Sequence, residues 1–207
     1  ISSVVMVQNL KNNGINAQSL TGAQAGILTD QTYCNSKVLN VNPEKIIDLI
    51  NNDIVPVIAG FQGITKDGEI TTLGRGGSDT TASIIAASIS AEMIEIYTDV
   101  DGLLTGDPKY VRNAKFLKKA NYTEACELAY QGAKVIHPAA AEIAMKNEIP
   151  IKIKSTFNNN SGTKIDKDGD KAKLTPITGL ASRDDIFYVE ITAHNKINYE
   201  NGLYVFQ

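Results

Sequence analysis

The chain has 207 residues, 43% apolar and 21% charged, the composition of an ordinary globular domain able to bury a substantial core. With 20 basic and 23 acidic residues its formal net charge is -3, which argues against a nucleic-acid binder, where a basic excess is the rule. No apolar run approaches the ~18 residues of a membrane span, no signal peptide is visible, and Cys34 and Cys126 lie far apart without C-x-x-C spacing; the expectation is a cytoplasmic protein with reduced thiols, no zinc site and no membrane partner.

Strand-like and helix-like segments alternate from the start. Ile1 leads at once into a helix-like segment, Ser3 to Lys11, without an initiator Met, so the sequence is expected to begin within a longer protein. Asn13-Gly14 supplies the helix stop. Ile15 to Leu20 reads as a strand, followed by a Gly/Ala-rich stretch over residues 21–26. A second strand covers Lys37 to Val41, and Pro43 opens a helix through Ile50. The β-branched run Ile54 to Ala59 suits a strand covered on both faces, as in a parallel sheet. A turn-rich segment, Gly60 to Gly77, precedes a helix from Ser78 to about Ser90, and Met93 to Tyr97 is the next strand. Strand, helix and strand in this order predict a βαβ unit and an α/β sandwich. Thr123 to Gln131 and Pro138 to Asn147 read as helices, and Ile149 to Lys154 as a strand. After Phe157 a turn over residues 158–162 and a polar run from Asp166 to Lys173 read as a linker. Ile186 to Ile191 is strand-like, but the about 30 residues of this tail are too few for a core of their own, so they are read as the opening of a second domain.

The chemistry concentrates in three segments. In Leu73-Gly74-Arg75-Gly76-Gly77-Ser78-Asp79 the glycines permit positive φ and close approach of a ligand to the backbone. Ser78 or Asp79 is a candidate N-cap, leaving helix N–H groups pointing at an anion. Arg75 can grip a carboxylate through two parallel hydrogen bonds. In Tyr97-Thr98-Asp99-Val100-Asp101-Gly102, polar groups follow the carboxyl end of a strand, where α/β sheets bind ligands. Thr98 and Asp99 are the functional candidates there, whereas Asp101-Gly102 is read as a turn dipeptide. In Gly132-Ala133-Lys134-Val135-Ile136-His137-Pro138 the lysine can reach a phosphate as a point charge, and His137 is read as a turn or cap residue. The chain carries no G-x-x-x-x-G-K-[ST] loop, no H-R-D or D-F-G, and no G-x-G-x-x-G, which excludes P-loop, protein-kinase and dinucleotide-fingerprint schemes.

These strings, together with Ala59-Gly60-Phe61-Gln62-Gly63 and Ser19-Leu20-Thr21-Gly22-Ala23-Gln24-Ala25-Gly26, closely resemble aspartate kinases of the amino-acid-kinase fold, in the family's order and over roughly Ile1 to Ile165. The resemblance implies a three-layer αβα sandwich with a mainly parallel sheet, an N-terminal lobe for aspartate and a C-terminal lobe for ATP. It places Phe61, Arg75, Gly76, Gly77 and Ser78 at the aspartate site and makes Asp79 the active-site aspartate. Thr98, Asp99, Leu104, Lys109, Lys134 and Val135 fall at nucleotide-contacting positions. ATP and Mg²⁺ are the implied cofactors, with no dedicated protein ligand set for the metal. The reaction implied is phosphorylation of the side-chain carboxylate of L-aspartate, the first step toward lysine, threonine and methionine.

The resemblance also divides the chain into a catalytic domain over residues 1–165, a linker over 166–174, and the start of an ACT regulatory domain over 175–207. A lysine or threonine effector and a homodimer are expected with it. The family's N-terminal Lys-Phe-Gly-Gly-Ser-like turn and a substrate-binding Glu have no counterpart here, so a long further segment is expected at the front and this chain alone is expected to be inactive. Two other readings stay open. One is a related kinase acting on glutamate or acetylglutamate, against which Arg75 in its Gly-Arg-Gly-Gly-Ser-Asp string argues. The other is a non-catalytic amino-acid sensor.

Overall fold

The computed structural model describes residues 1–133, 135–170 and 177–182. In chain order the elements are α1 (Ser2–Asn12), β1 (Ala17–Leu20), β2 (Ile27–Thr29), β3 (Val38–Val41), α2 (Glu44–Asn51), β4 (Val55–Ile58), β5 (Gln62–Ile64), β6 (Ile70–Thr72), α3 (Gly77–Ser88), β7 (Ile94–Thr98), β8 (Lys119–Asn121), α4 (Tyr122–Tyr130), α5 (Pro138–Lys146), β9 (Ile151–Ser155) and β10 (Thr163–Asp166). Strands β1 and β4 pair in parallel, a second sheet runs β3-β2-β5-β6, and a third runs β7-β9-β10-β8. Both four-stranded sheets are mixed. β2/β5, β7/β9 and β10/β8 are parallel, while β2/β3, β5/β6 and β9/β10 are antiparallel. This is the α/β architecture expected. No helix among the described residues is long and apolar enough to cross a membrane.

Two hydrophobic clusters define two lobes. The first is built on Leu20, Ala25, Ile27, Ile46 and Leu49. The second gathers Ile94, Leu103, Ile151, Ile153 and Ile165 with Ala140, Ala141 and Ala144 of α5. Helix α3 serves both: Ile85 and Ile89 pack on the first cluster, while Ala82, Ala86 and Ala87 join the second. Alanines at the α3/α5 contact let two helices approach closely. Helix α3 therefore lies between the two lobes.

Several elements differ from expectation. The segment read as turns after Gly60 contains the β5/β6 hairpin, closed at Gly68 (φ +88). Gly63 looks like a turn residue but lies inside β5, where a Cβ would strike the Thr29 methyl. Its small size lets the buried Thr29 and Thr71 hydroxyls meet at 2.6 Å. The run Ile54 to Ala59 is not covered on both faces. Among the described residues β4 pairs only with β1, and Val55 is 43% exposed. The expected βαβ unit is also not formed within one sheet, because β4 and β7 belong to different sheets. At the far end, Asp166 closes a turn by accepting the N–H groups of Asp168 and Gly169. Residues 171–174 of the expected linker, the 186–191 strand and most of the expected ACT segment lie outside the described residues.

Helix α4 is started by a reciprocal capping box. The Asn121 side chain accepts the Glu124 N–H, and the Glu124 carboxylate accepts the Asn121 N–H, both at 2.8 Å. Such a cap contributes about 1 kcal/mol. Asn121→Ala is expected to lower the unfolding free energy, measured by urea denaturation, by about that amount, while Asn121→Asp leaves it nearly unchanged.

Candidate active site

The Leu73–Asp79 segment is shaped by two left-handed glycines. Gly74 has φ +75 and Gly76 φ +69, and the Gly77 N–H donates to the Gly74 carbonyl at 3.1 Å. Arg75 is lifted between them, exposed, and forms no ion pair among the described residues. The expected N-cap at Ser78 or Asp79 is corrected here. Gly76 is the N-cap, without a side-chain cap bond, and Ser78 and Asp79 occupy the first turn of α3. The reason is geometric: the helix starts as soon as the glycine turn closes, so no extended capping residue is available. The Ser78 and Asp79 N–H groups are left without a backbone acceptor among the described residues. The anion-binding helix end is thus present, with Asp79 inside it rather than before it.

Phe61 closes one side. It is a non-glycine residue at φ +72, a conformation that costs on the order of 1 kcal/mol or more and clusters at functional sites. Its N–H donates to Thr81 Oγ1 at 3.0 Å, its carbonyl accepts the Leu73 N–H at 3.1 Å, and its ring lies against Gly77. A Cβ at Gly77 would come within 2.6 Å of that ring. Gly60 also packs on Ser78, where a Cβ would come within 3.2 Å of the Ser78 Cα. The structure thus gathers Phe61, Arg75, Gly76, Gly77 and Ser78 around one helix end. Thr81, one turn into α3, is a supporting residue that sequence reading missed, since a buried threonine in a helix carries no local signal.

Asp79 joins this half to the other lobe. Its Oδ2 accepts the backbone N–H of His137 at 3.3 Å, and His137 is the N-cap of α5. The His137 ring lies directly on Gly76, where any Cβ would overlap it, and its Nδ1 is buried without a hydrogen-bond partner among the described residues. Reading His137 as a cap was correct, but its place beside Gly76 and Asp79 arises from tertiary packing that no spacing reveals. Gly76→Ala would both force a strained φ and displace this ring. It is expected to cost about 2 kcal/mol or more of stability, measured by urea unfolding.

The second half lies beyond β7 and β9, parallel strands that end together at Thr98 and Ser155. Thr98 Oγ1 donates to the Asp99 carboxylate at 3.1 Å, and the Thr98 carbonyl accepts the Thr156 N–H. Asp101 accepts the side-chain amides of Asn158 and Asn160, tying the two loops together, so its role is structural as expected. Leu104 is half-buried and bridges Phe116, and Lys109 extends its ammonium 4.9 Å above the Tyr110 ring. Val135 packs against the second core cluster, and Lys134 lies outside the described residues. On β7 and β9, Lys154 meets Glu95 at 2.7 Å; this bond holds the Glu95 carboxyl below its usual range and the lysine above its own.

Residues 1–155 match the family model described as the amino acid kinase family. Aspartokinase 1 of Bacillus subtilis strain 168 is 46% identical over 198 residues, covering 93% of this chain and 49% of that protein. The Geobacillus stearothermophilus aspartokinase is 40% identical over 95% of this chain and 48% of its own length. The chain therefore spans about half the length of these curated relatives. Among solved structures, E. coli aspartokinase III in complex with aspartate and ADP aligns at TM-score 0.74 and 30% identity, over 80% of this chain and 38% of that one. The same enzyme with lysine and aspartate aligns at 0.71. The UMP kinase of Ureaplasma parvum, at 19% identity and TM-score 0.57, shares the fold alone.

Proposed function

The chain belongs to the amino acid kinase family, and from that premise we propose that it forms the larger part of the catalytic domain of an aspartate kinase, which transfers the γ-phosphoryl group of ATP to the side-chain carboxylate of L-aspartate. The observation that carries this reading is Arg75, without an ion-pair partner among the described residues and raised between two left-handed glycines at the N-terminus of α3. A guanidinium fork beside exposed helix N–H groups is a receptor for a carboxylate. The 38–46% identity to several aspartokinases supports the choice of aspartate over other carboxylates.

In the reaction, a side-chain carboxylate oxygen of aspartate attacks the γ-phosphorus. The bond to the β-phosphate oxygen breaks, ADP leaves with the electron pair, and an acyl phosphate is formed. The carboxylate is already ionised at neutral pH, so no general base is needed. The protein's work is alignment and charge neutralisation. Arg75 clamps the substrate's α-carboxylate, Phe61 walls the pocket, and the α3 N-terminus faces the transferring group. Thr98, Asp99, Leu104, Lys109, Lys134 and Val135 hold the nucleotide. Asp79 has one oxygen engaged by His137 and the other without a hydrogen-bond partner among the described residues, and Asp99 is exposed at the end of β7. These suit a Mg²⁺ ion held mainly by phosphates with one or two carboxylates. Mg²⁺ would supply neutralisation of the phosphate charge. Lysine is proposed as the effector of the full-length gene product.

The test is an ADP-release assay on the full-length gene product with ATP, Mg²⁺ and a panel of L-aspartate, L-glutamate and N-acetylglutamate. Turnover dependent on aspartate alone supports the reading. Turnover of glutamate with aspartate ignored rejects it.

A further inference from the structure

We propose that the loop over residues 30–37 forms the rim of the amino-acid subsite, and that Asn35 is a positioning residue that sets where Arg75 stands. The inference rests on the aspartate-kinase reading. The loop joins β2 to β3, and its base is closed by Asp30. The Asp30 carboxylate accepts the N–H groups of Thr32 and Lys37, both at 3.1 Å, and the Asp30 N–H donates to the Lys37 carbonyl. Its middle is fastened to β6 through one residue, Thr72. The Tyr33 carbonyl accepts the Thr72 N–H at 2.9 Å and its hydroxyl at 3.0 Å. The Thr72 carbonyl in turn accepts the Ser36 N–H at 2.9 Å and the Ser36 hydroxyl at 2.7 Å. Four hydrogen bonds on the residue two before Gly74 are more than a surface connection needs. They hold the loop as a fixed edge beside the Arg75 turn.

Asn35 sits at the contact. A Cβ on Gly74 would overlap its Oδ1 and lie 3.2 Å from its Cγ, so the carboxamide rests directly on the Gly74 Cα. Gly74 is held at φ +75, and the next residue is Arg75. A left-handed glycine with open space beside it could shift, and its arginine with it. The carboxamide removes that freedom. The carboxamide has no hydrogen-bond partner among the described residues, so its contribution is contact with the turn. Preorganising the guanidinium in this way saves ordering cost when the substrate binds. Cys34, the neighbouring residue, is exposed and reports on the rim. Cys126 is buried and its thiol is pushed up by that burial, so it competes little for a thiol reagent.

The experiment uses the full-length gene product with aspartate and ATP varied separately. Asn35→Ala is expected to raise the KM for aspartate about tenfold, with kcat and the KM for ATP within about twofold and an unchanged melting temperature, the pattern of lost ground-state positioning. Asn35→Asp is expected to raise it further, because a carboxylate there captures Arg75. In the wild-type protein, saturating aspartate is expected to slow alkylation of Cys34 by iodoacetamide. An unchanged KM for aspartate overturns the proposal. So does a rise in both KM values with a lowered melting temperature, or Cys34 alkylation indifferent to aspartate. A wild-type protein that phosphorylates no aspartate sinks the functional reading itself, whereas an active wild type with unaffected variants sinks the rim alone.

Discussion

Arg75→Ala is expected to raise the KM for L-aspartate by about 100-fold or more, close to 3 kcal/mol, with the KM for ATP unchanged. The guanidinium has no ion-pair partner among the described residues and the side chain is exposed, so the melting temperature is expected to stay nearly where it is. What is lost is the partner of a carboxylate that has left water to enter the pocket. Arg75→Lys restores the charge without the two-pronged geometry and is expected to recover only part of the affinity. Steady-state kinetics with each substrate varied in turn decide the matter. An Arg75→Ala enzyme with wild-type affinity for aspartate would mean that the substrate binds elsewhere.

Asp79→Ala is expected to lower kcat by about 1000-fold, the effect of removing one preorganised electrostatic group from a transferring site. The same side chain also accepts the His137 N–H at 3.3 Å and sits in the first turn of α3, where a negative charge is favourable. Loss of activity in the alanine variant alone would therefore mix chemistry with lobe docking. Asp79→Asn separates the two, because its carbonyl oxygen can still accept the His137 N–H but carries no charge. The expectation is that Asp79→Asn melts close to wild type and is nearly as inactive as Asp79→Ala. Substantial turnover in Asp79→Asn would show that the charge is dispensable and the residue is structural.

The half of the site that was legible in the sequence is the half written in consecutive residues. Gly74, Arg75, Gly76 and Gly77 declare a tight turn feeding a helix, and the structure uses them so, although the start of α3 falls at the glycines and leaves Ser78 and Asp79 within the first turn. The Pro138 start of α5 was an equally local signal, whereas the Asn121–Glu124 capping box that starts α4 at Tyr122 was not read from the sequence, which placed that helix from Thr123. The contacts that bring the lobes together were not legible. His137 meets Gly76 and Asp79 only because α5 folds back beside α3, and neither residue type nor spacing encodes that. The three-residue strands β2, β5, β6 and β8 are too short for a period of two to rise above noise. Gly63 misled for a different reason: inside a strand, its missing side chain makes room for the Thr29–Thr71 pair rather than for a turn. The β-branched run at β4 looks like a strand covered on both faces, yet burial depends on neighbours that a run of valines and isoleucines cannot specify.

The central claim is that the Arg75 turn and the α3 N-terminus hold an amino-acid carboxylate while its side chain takes a phosphoryl group. The most direct measurement is to trap the product. The full-length gene product is incubated with ATP, Mg²⁺ and L-aspartate in the presence of hydroxylamine, which converts an acyl phosphate to a stable hydroxamate, and the product is identified by mass. The account predicts the aspartyl hydroxamate formed in step with ADP release by the wild-type protein and absent with Asp79→Ala. ADP released without hydroxamate, or a protein that binds ATP and aspartate and forms neither product, would contradict it.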